Sequence, residues 1–121
     1  MLHDACILIC EDEPLIGLDL SISVEAAGGH ALGPAASVEE AMTLLDERIV
    51  DGANLDVNLK DGEVTPVALR LLELNVPLVV QSGVGLPDEL KYRVPPVRLF
   101  LKPVVPTTLI EELAGGLAKS R

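Results

Sequence analysis

Ala5-Cys6-Ile7-Leu8-Ile9-Cys10 runs directly into Glu11-Asp12-Glu13-Pro14, an apolar stretch that ends abruptly in three acids and a proline. A continuous apolar run of this length reads as a strand buried on both faces, the kind found in parallel sheets. From Pro14 the spacing turns helical, which puts Leu15, Leu18, Ile22 and Ala26 on the expected buried side and stops at Gly28-Gly29. The arrangement recurs along the chain: residues 52–55 end in Asp56, residues 78–80 lead to Ser82, and residues 97–101 lead to Lys102-Pro103. Ligands of open α/β sheets bind beyond the carboxyl ends of the strands. Carboxylates, a hydroxyl and an ammonium gathered there suit a divalent cation and a phosphoryl group.

The segments between these runs complete a regular alternation. A second strand is expected over residues 31–36, and Ser37-Val38-Glu39-Glu40 reads as a capping box, with Ser37 at the N-cap and Glu40 reaching back, for a helix to about Arg48. Residues 58–63 form a loop carrying Gly62, and Thr65-Pro66 provides an N-cap and a first-turn proline for a helix through Leu74. Pro77 precedes the fourth strand. Gly83, Gly85, Pro87, Pro95 and Pro96 leave only residues 88–92 as helix before the fifth strand. A final amphipathic helix starts near Pro106 and carries Leu109, Ile110, Leu113 and Leu117. Right-handed crossovers make these five βα units a flavodoxin-like doubly wound α/β sheet, strand order 2-1-3-4-5, with a short or irregular fourth helix.

Composition bounds the rest. A chain of 121 residues supports one domain, 1–121, around one core. Aromatics are reduced to Tyr92 and Phe100, so Leu, Val, Ile and Ala must fill that core. The formal net charge of -10 and the lack of a Lys/Arg cluster argue against direct nucleic-acid binding. Cys6 and Cys10 lie about 13 Å apart along one strand, beyond the roughly 7 Å a disulfide spans, and read as small apolar side chains. His3 and His30 match no ligand motif. No apolar stretch approaches the roughly 20 residues that cross a bilayer and no signal-like segment opens the chain, so a cytoplasmic protein without a membrane partner is expected.

Mg²⁺ takes oxygen ligands and keeps several waters, so Glu11, Asp12 and Asp56 suffice when a phosphoryl oxygen completes the shell; Mn²⁺ would substitute. Asp56, at the end of a central strand, is best placed as an attacking carboxylate. Lys102 supplies a point charge for phosphate. Ser82 supplies a hydroxyl, and Gly83 leaves room beside it. Each piece alone is an ordinary loop or turn residue; their order, acid, acid, hydroxyl, lysine, each at a separate strand end, is what carries the reading.

These residues resemble the receiver (CheY-like) domain of two-component response regulators over essentially the whole chain. Residues 9–13, Ile-Cys-Glu-Asp-Glu, match its acidic-pair motif, residues 55–59 its phosphoacceptor motif, Ser82-Gly83 its hydroxyl-plus-small pair and residues 101–103 its lysine motif. The resemblance implies that a histidine kinase or histidine phosphotransfer protein donates phosphate to Asp56. It also implies that Glu11, Asp12, Asp56 and the backbone carbonyl of Asn58 hold Mg²⁺, and that Ser82 and Lys102 act catalytically. The only chemistry implied is self-phosphorylation and slow autodephosphorylation. Residues 10–15, 33–37 and 56–59 further resemble stand-alone alphaproteobacterial receivers and the receiver halves of general-stress regulators; of the Phe-Ala-Thr-Gly strand motif found in some of these, only Pro77 and Gly83 remain.

There are departures. Glu11 stands where Asp is usual, the loop at Leu59-Lys60-Asp61-Gly62 lacks the proline such domains often carry, Val105 occupies the expected N-cap of the last helix, and Leu99 replaces the usual switching aromatic. Phe100, pointing to the other side of its strand, cannot substitute. The alternative reading is therefore a receiver-like interaction module with little or no phosphorylation. A flavin phosphate would be repelled by Glu11, Asp12 and Glu13, and an aspartate-nucleophile phosphatase would need an acid at Asn58. Gly83, Leu99, Tyr92 and the outer face of the last helix are the candidate switch or interface residues toward a downstream protein target. Cognate kinase, target and oligomeric state, a homodimer included, are left open.

Carboxylates a few Å apart repel by up to about 4 kcal/mol per close pair at an effective dielectric near 20. Millimolar Mg²⁺ should therefore raise the melting temperature in a thermal scan; no shift with Mg²⁺ or Mn²⁺ would contradict a cation site.

Overall fold

In a computed structural model, which describes residues 1–120, the apolar runs form the strands of one parallel sheet. The elements are β1 (Cys6–Cys10), α1 (Pro14–Ala26), β2 (His30–Ala35), α2 (Val38–Glu47), β3 (Gly52–Asp56), β4 (Asn58–Leu59), β5 (Gly62–Glu63), α3 (Thr65–Glu73), β6 (Leu78–Ser82), α4 (Asp88–Lys91), β7 (Arg98–Leu101) and α5 (Pro106–Ser120). The five-stranded sheet has the order β2-β1-β3-β6-β7. This is the expected 2-1-3-4-5 order once the unpredicted hairpin β4-β5, which occupies the loop after Asp56, is set aside.

Alternation along the strands splits the interior into two layers. Leu8, Cys10, Leu55 and Val80 face α2 and α3, meeting Ala41, Leu45, Val67 and Leu71. Ile7, Ile9 and Val79 face α1 and α5, meeting Leu20, Val24, Leu109 and Leu113. Asn54 pairs with Ile9 and Val79 in register, and Asp56 with Gln81. A column of polar side chains thus runs through the α1/α5 layer toward the carboxyl edge of the sheet. Asn54 is fully enclosed, with neither amide atom hydrogen-bonded among the described residues.

Three local expectations need correction. The first helix buries Gly17, Leu20 and Val24, and leaves Leu15, Leu18, Ile22 and Ala26 exposed. Its sequence is apolar nearly all round, so spacing does not select a face; close approach does. A Cβ at Gly17 would stand 2.7 Å from Pro34 Cγ and 3.8 Å from Glu11 Cβ, so the helix seats on its smallest residue. Thr65 is not a cap: Val64 holds the cap position without a side-chain bond, and the Thr65 hydroxyl is buried and unpaired among the described residues. At α2, Ser37 Oγ accepts from the Glu40 N–H at 3.0 Å as expected. Glu40, however, reaches only the Ser37 hydroxyl, at 3.5 Å, and not its backbone N–H. Asp61 supplies the rest, accepting from the N–H groups of Val38 at 2.7 Å and Glu39 at 3.1 Å.

The fourth helix is one turn, as the prolines dictate, and Leu109, Ile110, Leu113 and Leu117 of α5 are all buried. Gly17→Ala tests the seating of α1. Alanine's better helix propensity is worth about 1 kcal/mol, whereas overpacking costs about 1–3 kcal/mol. Urea unfolding should show a net loss on the order of 1 kcal/mol; equal or greater stability would contradict the close contact.

Candidate functional site

The strand ends that the sequence singles out do meet. Backbone bonds continue past the sheet and fix them: Glu11 N–H donates to Ala35 O at 2.9 Å, Val57 N–H to Gln81 O at 3.1 Å, and Lys102 N–H to Ser82 O at 2.9 Å. Lys102 Nζ donates to Asp56 Oδ2 at 2.8 Å and stands 3.6 Å from Glu11 Oε1. One carboxylate oxygen from each of Glu11, Asp12 and Asp56 lies within 4.8 Å of the others. Glu11 and Asp56 are only 2% and 6% exposed, so water screens their mutual repulsion poorly.

Burial above all, then contact with Asp56 and its charge, pushes the Glu11 carboxyl up to about 7, opposed by the Glu13 N–H and Lys102. Burial also works against the Lys102 ammonium, yet its hydrogen bond to Asp56 and the charges of Asp56 and Glu11 hold its pKa above the ordinary lysine value. The donor set fits a hard cation. All its atoms are oxygens, three come from separate carboxylates, and Glu11 Oε1 is buried without a hydrogen bond among the described residues. Asn58 follows in the turn after Asp56, its N–H 3.4 Å from Asp56 Oδ1.

Ser82 is buried, and its Oγ accepts from the N–H groups of Val84 at 3.1 Å and Gly85 at 3.2 Å. Both bonds use lone pairs, which leaves the hydroxyl proton to donate. A Cβ at Gly83 would meet nothing within 4 Å, so that position is open. Leu99 is half-buried against the α2/α3 layer and Phe100 packs in the other. Tyr92, 91% exposed at the end of α4, is not part of this cluster.

Two features beside the site were not legible in the sequence. Gln81, in register with Asp56, is 3% exposed with its Nε2 unpaired among the described residues; it stands between the apolar run 78–80 and Ser82 and reads as an ordinary strand-end residue. The exposed face of α1 forms, with Gln81, Lys102, Pro103 and α5, a groove of about 830 Å³ lined by Leu15, Leu18, Ile22 and Leu109. Among the described residues no helix is long and apolar enough to cross a membrane, and Cys6 and Cys10 are free thiols.

No protein-family model matches the chain. The phyllosphere-induced regulator PhyR of Methylorubrum extorquens is 44% identical over 57 residues, a match spanning 46% of this chain and 21% of that protein. Among solved structures, SdrG from Sphingomonas melonis Fr1 is 29% identical with a TM-score of 0.77, covering 98% of this chain and 99% of that one. A response regulator receiver protein from Sinorhizobium medicae superposes with a TM-score of 0.84 at 24% identity, covering all of both chains. The sheet order described above is that of a CheY-like receiver fold.

A carboxyl with a raised folded-state pKa takes up its proton on folding, so its contribution to stability falls as pH rises from the ordinary 4.5 through about 7. In EDTA, wild type should lose on the order of 1–3 kcal/mol more than Glu11→Gln between pH 5 and 8, measured by urea unfolding. Parallel pH profiles would contradict the buried, charge-crowded Glu11.

Proposed function

We propose that this chain, with its receiver fold, is a phosphoryl-accepting signalling domain whose acceptor is Asp56. Asp56 Oδ attacks the phosphorus of a phosphohistidine on a histidine kinase or phosphotransfer protein. The P–N bond breaks, an acyl-phosphate P–O bond forms, and the leaving imidazole nitrogen takes a proton from water. The observation that carries this reading is the ammonium of Lys102 bonded at 2.8 Å to Asp56 amid three clustered carboxylates.

Glu11, Asp12, Asp56 and the Asn58 carbonyl would hold Mg²⁺, which when bound neutralises charge developing on the transferred group. Lys102, already at the acceptor, is positioned to follow the new negative charge onto a phosphoryl oxygen. Ser82 donates its free proton to another, which draws it from the Val84 and Gly85 amides and so loosens the segment ahead of α4. Gly83, Leu99 and Tyr92 lie on or beside the path from there to α4, β7 and α5, where a downstream protein would read the change, whether as a partner or through a homodimer. Leu99 and the one-turn α4 favour a second reading, an interaction module that uses this surface without phosphorylation. A cytoplasmic location agrees with free thiols and with access to a kinase.

A protein donor must cover the rim of the site, and the exposed apolar face of α1 shares a groove with Lys102. Incubation with acetyl phosphate and Mg²⁺ should give one phosphate adduct by intact mass on wild type and none on Asp56→Asn. Leu18→Asp should keep that adduct while slowing transfer from a phosphohistidine protein. A wild type that stays unmodified with Mg²⁺ present would select the interaction module.

A further inference from the structure

We propose that Asp61 is a positioning residue for the cation site, tying the loop that carries Asn58 to the N-terminus of α2; this rests on the cation reading given above. The loop after Asp56 is short, exposed at Asn58, Lys60 and Gly62, and has no proline to stiffen it. Its own pairing is minimal, Asn58 with Glu63 and Leu59 with Gly62. A ladder that small is marginal in water. Its near end is anchored through Val57, whose N–H donates to Gln81 O at 3.1 Å and whose carbonyl accepts from Val64 at 2.8 Å.

The far end is anchored through α2. Lys60 N–H donates to Ala36 O at 3.0 Å, and the two Asp61 oxygens take the Val38 and Glu39 N–H groups. Those two donors and the Glu40 N–H, held by Ser37 Oγ, are the free amides of the first helical turn, and all three are satisfied. A carboxylate suits this place because the N-terminal end of a helix carries partial positive charge; the Val38 N–H bond, foremost, holds the Asp61 carboxyl below its usual range. Asn58 therefore lies between two fixed points, one on β6 and one on α2. Holding the loop at both ends sets the angle at which the Asn58 carbonyl would meet a metal, the role that partners bonded to a ligand play elsewhere.

Calorimetric titration with Mg²⁺ alone tests the idea on four proteins: wild type, Asp61→Ala, Asp61→Asn and Ser37→Ala. Asp61→Ala should weaken Mg²⁺ binding by up to about tenfold, the lower end of the cost of losing a partner bonded directly to a ligand, because Asp61 acts through the loop. Ser37→Ala removes a cap from the same helix without touching the loop, so it should lower the melting temperature and leave the Mg²⁺ affinity at the wild-type value. Asp61→Asn retains an acceptor for one amide and should fall between wild type and alanine, which guards against a misfolded alanine variant. In metal-free protein, amide exchange at Val38, Glu39 and Lys60 should speed up in Asp61→Asn. Wild-type affinity in both Asp61 variants, or equal weakening by Ser37→Ala, would overturn the positioning role. Wild type without measurable Mg²⁺ binding would overturn the cation site itself, and the positioning role with it.

Discussion

One ammonium lies against two buried carboxylates, and much of this molecule can be understood from what that costs. Lys102, Asp56 and Glu11 come from three different strand ends, so their meeting depends on the register of the whole sheet. Breaking such a group by removing one partner leaves an uncompensated charge away from water. Taken together, the three carry one positive charge against two negative, with Asp12 adding a third acid at the rim. The imbalance is a standing electrostatic demand for a cation or for protonation of Glu11. A cation bound there would change that balance among side chains that the sheet register holds in place.

The surroundings show how the fold accommodates the crowding. Three strands, β1, β3 and β7, deliver the charged groups on backbone that is hydrogen-bonded at or just past the strand end, so motion is left to the loops. Ser82 holds the loop after β6 by its two amides, and Asp61 holds the loop after β3 from α2. Both contacts are polar bonds to loop or helix-end amides, which makes them easier to exchange than core packing. Two polar routes thus lead away from the cluster, toward α4 and β7 through Ser82 and toward α2 through Asp61. The half-buried Leu99 offers the first route no aromatic side chain to swing.

Strand order and the identity of the clustered side chains were readable from sequence because each depends on local information: an apolar run, the residue that ends it, and the handedness of crossovers. The fourth helix was readable for the same reason, since prolines and glycines act where they stand. What escaped depends on distant partners. The face of α1 was misread because Leu15, Ile16, Leu18, Leu20, Ile22 and Val24 leave no polar side, and Pro34 decides the matter from another segment. Asp61 reads as a turn residue until α2 is placed against it, 22 and 23 residues away in the chain. Asn54 was hidden within an apolar strand and Gln81 near the end of another, and the hairpin β4-β5 is too short to leave a periodic trace.

A crystal structure of the protein with beryllium fluoride and Mg²⁺ tests the account most directly, because that pair stands in for an acyl phosphate and its cation. The expected density is a fluoroberyllate on one Asp56 oxygen, Lys102 Nζ and Ser82 Oγ moved onto its fluorines, and the metal held among Glu11, Asp12, Asp56 and the Asn58 carbonyl. Empty density beside Asp56, with Lys102 still bonded to its carboxylate, would contradict it.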